Sequence, residues 1–387
     1  MMDLTGVTGP IWIGDTSQQQ SQQQRLPLET ARRRRRHVVR RPTTTTTTVV
    51  ALWENDSIET ILQIMETHQQ SASVQERACA ILGRSSRFNY HTGHNPTQKR
   101  LEIGAAGGIV SIVNAMKLHP QNSAVQQQAC YALRHLLFGN AAANNNNSDN
   151  NNSDNDNKRR VVQAQGVETV IKAMNNHTSD TILQRHACAV LVELCSQNNN
   201  KKDKTKRRQE HKQRTLVGKA GGAEAVIHAM KLHPNVPLLL LNACTALRNL
   251  SFWHKQNRIR IGQAGGIEQI VHTMQQHTRR GWLMEEACSA IAIVSCHNAD
   301  NKRRVFQAGG VKAIVHVMEQ QFYHDRVQDA ATRALFILSF ERHNKREIAQ
   351  TATTEAIKEA QRRFPSLPYP PMVLQRLCRR RMFPFRG

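Results

Sequence analysis

One methionine position recurs six times along this chain, and that recurrence restricts the fold more than any other feature. Met65, Met116, Met174, Met230, Met274 and Met318 are each followed fourteen residues later by Cys79, Cys130, Cys188, Cys244, Cys288 and, last, Thr332. The Met-to-Met steps are 51, 58, 56, 44 and 44, so the unit is 44 residues, with insertions of 7, 14 and 12 after the first three units. A period of this length belongs to stacked helical repeats, in which each unit buries against its neighbours a face it cannot bury alone. The 387 residues therefore form a one-dimensional array instead of two or three independent cores.

Each unit reads as three helices. Ahead of the Met, apolar residues fall at i, i+3, i+4 and i+7, as in Ile109, Ile112, Val113 and Met116, or Ile267, Ile270, Val271 and Met274. That spacing lines one face of an α-helix. The Cys helix has its own stripe, Val125, Ala129, Leu133 and Leu136, and the small Ala129 and Cys130 permit close helix approach. Gly107-Gly108, Gly221-Gly222, Gly265-Gly266 and Gly309-Gly310 precede Met helices, each behind a short first helix such as Asn301-Lys302-Arg303-Arg304-Val305. Glycine there supplies the backbone of a sharp turn. Asp56 or Ser57 stands where it can N-cap the first Met helix.

These readings set expected boundaries: a basic, Gln- and Thr-rich disordered tail over 1–51, a solenoid over 52–363, and a basic, Pro-containing tail over 364–387. Within the solenoid, the Asn/Asp/Ser-rich insert near 141–157 and the basic insert near 197–213 are expected to be disordered. A degenerate seventh unit runs from Asn344 through Ile357 to Phe364, and Pro368, Pro370, Pro371 and Pro384 oppose a long helix beyond it.

The stretch from Ala264-Gly265-Gly266-Ile267 to Val294-Ser295, together with Ala246-Leu247-Arg248-Asn249-Leu250-Ser251, resembles the armadillo family over roughly residues 52–363. The resemblance implies an all-α fold, a right-handed α-α superhelix (an armadillo-type solenoid) of about six repeats plus a degenerate C-terminal cap. It also implies that the third helices line an inner, partner-binding face. The family's nuclear import adaptors carry a Trp and, four residues on, an Asn on that helix. Here the Trp position holds Ala80, Tyr131, Ala189, Thr245, Ser289 and Arg333, and the Asn position holds Arg84, His135, Glu193, Asn249, Ile293 and Ile337. With no Trp and one Asn, these positions do not encode the adaptors' clamp for a basic peptide. They describe an uneven groove whose candidate contacts are Arg84, Tyr131, His135, Glu193, Asn249, Trp253 and Arg333. Trp253, four residues beyond Asn249, is expected to share its face, and an exposed aromatic makes a good anchor.

Other recurring residues have structural readings. His68, His119, His177, His233 and His277 each lie three residues after the Met, at the C-terminal end of the second helix, where a donor satisfies open carbonyls. Adjacent helices pack roughly 8–10 Å apart, too far for equivalent histidines to share a zinc bound at about 2.0–2.1 Å. No metal and no cofactor is expected. The Cys column reads as core, and eight Cys without a C-x-x-C pair indicate a reducing compartment. Gly218-Lys219 is not a phosphate loop, because Gln213 stands where the leading Gly is required.

Net charge is +24, and sixteen of those charges fall in residues 1–51, 201–214 and 364–387. The N-terminal arm is Arg32, Arg33, Arg34, Arg35, Arg36, Arg40 and Arg41. No apolar run approaches the length of a membrane span, so the expected location is intracellular, cytoplasmic or nuclear. The function expected is a non-enzymatic, monomeric scaffold or adaptor that holds a segment of a partner protein in the groove. Two alternatives stand beside it. One is nucleic-acid association, with phosphate contacts from Arg32–Arg41, Lys201–Arg208 and Arg376–Arg381. The other is a divergent relative of the import adaptors.

Overall fold

The computed structural model describes residues 56–87, 96–138, 151–196 and 204–378, and the regular structure among them is entirely helical. The first repeat supplies α1 (Ile58–Thr67) and α2 (Ala72–Ser85). The second has α3 (Pro96–Ala105), α4 (Gly108–Leu118) and α5 (Ser123–Leu137), and the third has α6 (Asn151–Gln163), α7 (Gly166–Asn176) and α8 (Thr181–Cys195). The fourth has α9 (Lys204–Lys219), α10 (Gly222–Leu232) and α11 (Pro237–Ser251), and the fifth has α12 (Lys255–Gln263), α13 (Gly266–Gln276) and α14 (Gly281–Ser295). The sixth has α15 (Ala299–Gln307), α16 (Gly310–Gln320) and α17 (Asp325–Leu338). A seventh has α18 (Arg342–Ile348), α19 (Thr351–Arg363) and α20 (Tyr369–Cys378).

Like helices stack on like. The third helices α2, α5, α8, α11, α14, α17 and α20 form one layer, and the second helices α1, α4, α7, α10, α13, α16 and α19 form another. The result is a right-handed α-α superhelix. All six repeating Met side chains are buried between these layers, and the five repeating Cys are fully enclosed. The turn into each second helix is set by backbone geometry. Gly107, Gly221, Gly265 and Gly309 have φ of 92°, 86°, 83° and 73°, in the left-handed region that glycine enters without strain. Gln165, at φ 62°, takes this position in the third repeat. In the first repeat the cap is Ser57, whose side chain accepts from Thr60 N.

Three side-chain ladders bind the stack. Gln75, Gln126, Gln184 and Gln328 each donate Nε2 to two carbonyls that end the second helix; for Gln184 these are Met174 O (2.7 Å) and His177 O (3.0 Å). The histidine column reaches across repeats. Nε2 of His119, His177, His233 and His277 lies 2.7–2.9 Å from the carbonyls of Gln69, Pro120, Thr178 and Pro234 in the preceding repeat. Gln321 does the same toward Thr278 O at 2.7 Å. The histidines thus satisfy carbonyls as expected, but the carbonyls belong to the neighbouring unit. In the first-helix row, Asn157, Asn257 and Asn301 are buried, and each donates Nδ2 to two carbonyls, Asn301 to Arg258 O (2.7 Å) and Val294 O (2.9 Å).

Three expected boundaries are corrected. Composition predicts disorder for the insert near 141–157, yet α6 begins at Asn151, and Asn157 is buried with its amide on Arg100 O and Leu136 O. Asn157-Lys158-Arg159-Arg160 is a first helix in register with Asn301-Lys302-Arg303-Arg304, and its polarity belongs to an outer row. The insert near 197–213 is likewise helical from Lys204, with Gln213 and Arg214 buried and Arg214 Nε donating to Cys195 O at 3.3 Å. The stretch from 364 onward is no simple tail: α20 packs on α17 and α19 with Pro370 and Val373 buried. Pro370 and Pro371 sit in its first turn, where a missing N–H and a fixed φ do no harm. The seventh unit is therefore a complete three-helix repeat. The arm Arg32–Arg41 and Lys201–Lys202 lie outside the described residues, as do Arg379–Arg381.

Candidate interaction face

The layer of third helices is the face the sequence points to. Its helices approach closely because the facing residues are small: Ala78, Cys79, Ala129, Cys130, Ala187 and Cys188 are fully buried. At Gly83 an added Cβ would lie 2.6 Å from the Tyr131 ring. Only glycine lets α5 set that ring down on α2.

Tyr131 and His135 come together, both half-buried on α5, with ring centroids 4.6 Å apart in an edge-on arrangement. Two residues not singled out from the sequence join them. His186 of α8 meets the Tyr131 ring at 5.4 Å, and Arg134 Nη1 stands 3.3 Å from His186 Nδ1. Burial, then the Arg134 charge, pulls His135 down to about 2 and His186 down to about 3. Both rings are neutral at physiological pH, so His186 Nδ1 accepts from the guanidinium.

The other candidates separate. Arg84 is exposed on α2, while Glu193, Asn249 and Arg333 are each only 5–6% exposed. Asn249 Nδ2 donates to Val192 O at 3.2 Å, tying α11 to α8. Arg333 pairs with Asp329 at 2.6 Å, with its guanidinium over the Tyr369 ring. Trp253 does not share the face of Asn249: α11 ends at Ser251, and Trp253 follows at φ 52°, with 63% of its surface exposed. The i+4 argument fails because the helix stops between the two residues.

The polar character of the face changes along the stack. Arg77, Arg84, Arg134, His135, Arg185 and His186 occupy the first three repeats. The fifth places Glu285 and Glu286 side by side. Glu286 Oε2 forms an ion pair with Arg248 Nε (3.2 Å) and accepts from Thr245 Oγ1 (3.2 Å). Burial, and then Glu286, raises Glu285 above the usual carboxylate range. His186 and Glu286 occupy the same place, two residues before the repeating Cys, and so do Arg77, Gln128 and Asn242. That polar column was the signal available in the sequence.

The arrangement offers recognition chemistry. Burial pushes the thiols of Cys79, Cys188, Cys195 and Cys288 up to about 12, where they are poor nucleophiles. Among the described residues no three His, Cys, Asp or Glu are grouped to hold a metal ion. A cavity of about 430 Å³ opens on the second-helix side between α4 and α7, but Lys117 at its edge already donates to Ala164 O and Gln165 Oε1, both at 3.0 Å. No single helix among the described residues is long and apolar enough to cross a membrane. The bent pair α3 and α4, which qualifies only when joined, turns through 66° and gives Ile103, Ile109 and Ile112 to the core.

Comparison with known proteins places these features. A family model described as LRRK2 ARM repeat matches residues 155–364. Protein aardvark of Dictyostelium discoideum is 29% identical over 141 residues, covering 36% of this chain. The match spans only 17% of that relative's length. Crystal structures of two engineered proteins are similar in fold, at TM-scores of 0.56 and 0.55 with 21% and 20% identity. They cover 73% and 74% of this chain, and 96% and 99% of their own.

Proposed function

The chain belongs to the armadillo-repeat family, and on that footing we propose that it is a non-enzymatic scaffold, acting as a monomer, that holds an extended segment of a partner protein against its third-helix layer. One observation carries the reading: this layer presents polar and aromatic side chains that vary from repeat to repeat, while the Met column beneath stays constant and the Cys column changes only at Thr332. A surface needed only for stacking would be as uniform as its core. Extended segments suit such faces because each repeat reads a few residues of the ligand.

The charge pattern supports a narrower reading. A cationic, histidine-lined start suits a segment that is acidic at that end, while the fifth repeat's Glu286 is already paired with Arg248. Tyr131, packed over Gly83 and beside His135 and His186, is the anchor, in keeping with the preference of interfaces for aromatic hot spots.

A photo-crosslinking amino acid at position 131 tests this directly, with position 231 on the second-helix layer as its counterpart. In lysate, a discrete protein adduct is expected from position 131 alone. Equal labelling from both positions, or from position 231 only, rules out the third-helix face.

A further inference from the structure

A second surface lies on the first-helix edge of the central repeats. We propose that α9, α12 and Trp253 together bind single-stranded nucleic acid, independently of the third-helix face.

The first observation is the projecting part of α9. It has 16 residues where α12 and α15 have 9 each, and the excess lies at its N-terminal end. Lys204, Arg207, Arg208, His211 and Lys212 are exposed there, and the sequence from Lys204 to Arg214 contains no apolar residue. The single acid of the helix, Glu210, is engaged by Arg214 at 3.2 Å. Lys204 and Arg208, and Arg208 and Lys212, repel at i,i+4 spacing. A polyanion relieves that repulsion. Lys255, exposed at the start of α12, extends the cationic row.

The second observation is the exposed indole. Trp253 sits at φ 52° in the turn that ends the repeat, as His297 does at φ 50° one repeat on, so the backbone belongs to the repeat; the large aromatic there, 63% exposed, does not. Its chain neighbours on both sides contact α9. The next residue, His254, stacks on His211 of α9 at 4.6 Å, and the preceding Phe252 meets the Trp253 ring edge-on at 5.9 Å beneath the Arg214 guanidinium. An acidic peptide would satisfy the cations and leave the indole unused, and a duplex offers no free base face. An unpaired base uses both, stacking on the ring while its phosphates meet the row.

The test is fluorescence anisotropy on the full chain with a labelled oligothymidylate of about twenty nucleotides, a duplex of equal length and polyglutamate, each across a salt series. Trp253→Asn, which tolerates the left-handed backbone, is expected to weaken oligothymidylate binding roughly ten-fold at unchanged salt slope and to leave polyglutamate binding unaltered. Arg207→Glu/Arg208→Glu/Lys212→Glu is expected to weaken all three ligands and flatten the slope. Replacing Arg32 to Arg36 by Ala is expected to lower affinity generally while preserving the ten-fold effect of Trp253→Asn. The proposal is overturned by wild-type affinity in Trp253→Asn or in the charge-reversed variant, by preference for the duplex, or by polyglutamate binding as tightly as the oligonucleotide.

Discussion

Glycine and asparagine form a pair through space that neither reveals alone. A Cβ on Gly262 would overlap Asn301 Oδ1, and the same relation joins Gly104 to Asn157 and Gly218 to Asn257. Gly262→Ala therefore displaces a buried amide that serves two carbonyls, and is expected to lower stability by about 1–3 kcal/mol in urea unfolding. In a double-mutant cycle with Asn301→Ala the effects should be less than additive, and strict additivity would refute the clash. A second residue-scale effect concerns pH. His186 titrates near 3 in the folded chain and near 6.5 unfolded, because burial and then Arg134 oppose its charge. A depressed folded value means that this contribution is complete above pH 6.5 and is lost as pH falls toward 3. Over that window the loss is about 1.4 kcal/mol per pH unit, and His186→Gln should flatten the acid limb of the stability profile. An unchanged profile would mean that the ring is solvated. Asn301 and Gly262 were visible in the sequence, but their pairing crosses 39 residues and two repeats, so nothing local announces it.

At the scale of elements, the second and third helices were legible because their buried stripes have the helical period. The first helices were partly missed because α6 and α9 are rich in polar and charged residues and show little apolar pattern, so composition suggested disorder. The packing of the candidate residues was legible only in part. Tyr131 and His135 were found together, whereas burial of Glu193, Asn249 and Arg333 depends on how closely the next repeat approaches. The ladders joining elements escaped notice because Gln on an amphipathic helix reads as solvent-facing. Gln184→Leu, which installs the side chain that the fourth repeat carries at Leu240, should cost about 1–2 kcal/mol, since the carbonyls of Met174 and His177 lose their shared donor. His177→Ala should weaken coupling to the preceding repeat by about 1 kcal/mol, and His177→Gln should restore most of it, because Gln321 makes the equivalent bond. Comparable Tm values for the Ala and Gln variants would show that the bond to Pro120 O contributes nothing.

A repeat array is stable as a whole only if its last layer is closed, because each unit draws stability from its neighbours and the end unit has one neighbour fewer. Among the described residues the last layer is α20, which the prolines at 368, 370 and 371 disguised as a tail. The helix seals α17: Val373 is fully buried, Tyr369 lies 6.0 Å from the Phe336 ring and under Arg333, and Arg376 stacks on Phe340 at 3.5 Å. The two arginines thus cover aromatic surface, Arg333 buried with its charge on Asp329 and Arg376 half-buried. A chain ending at Phe364 uncovers the outer side of α17, including Phe336, which is only 8% exposed in the full protein. It is expected to melt about 2 °C or more below the full chain, since each kcal/mol shifts Tm by less in a chain this long than the ~2–4 °C typical of 150–250 residues. The open face of α17 should also make it self-associate. A chain ending at Cys378 keeps every one of these contacts and should melt with the full protein. Measuring both truncations by calorimetry and light scattering separates a cap from an appendage: if the shorter chain melts with the longer one and stays monomeric, the array closes at α17 and α20 is dispensable.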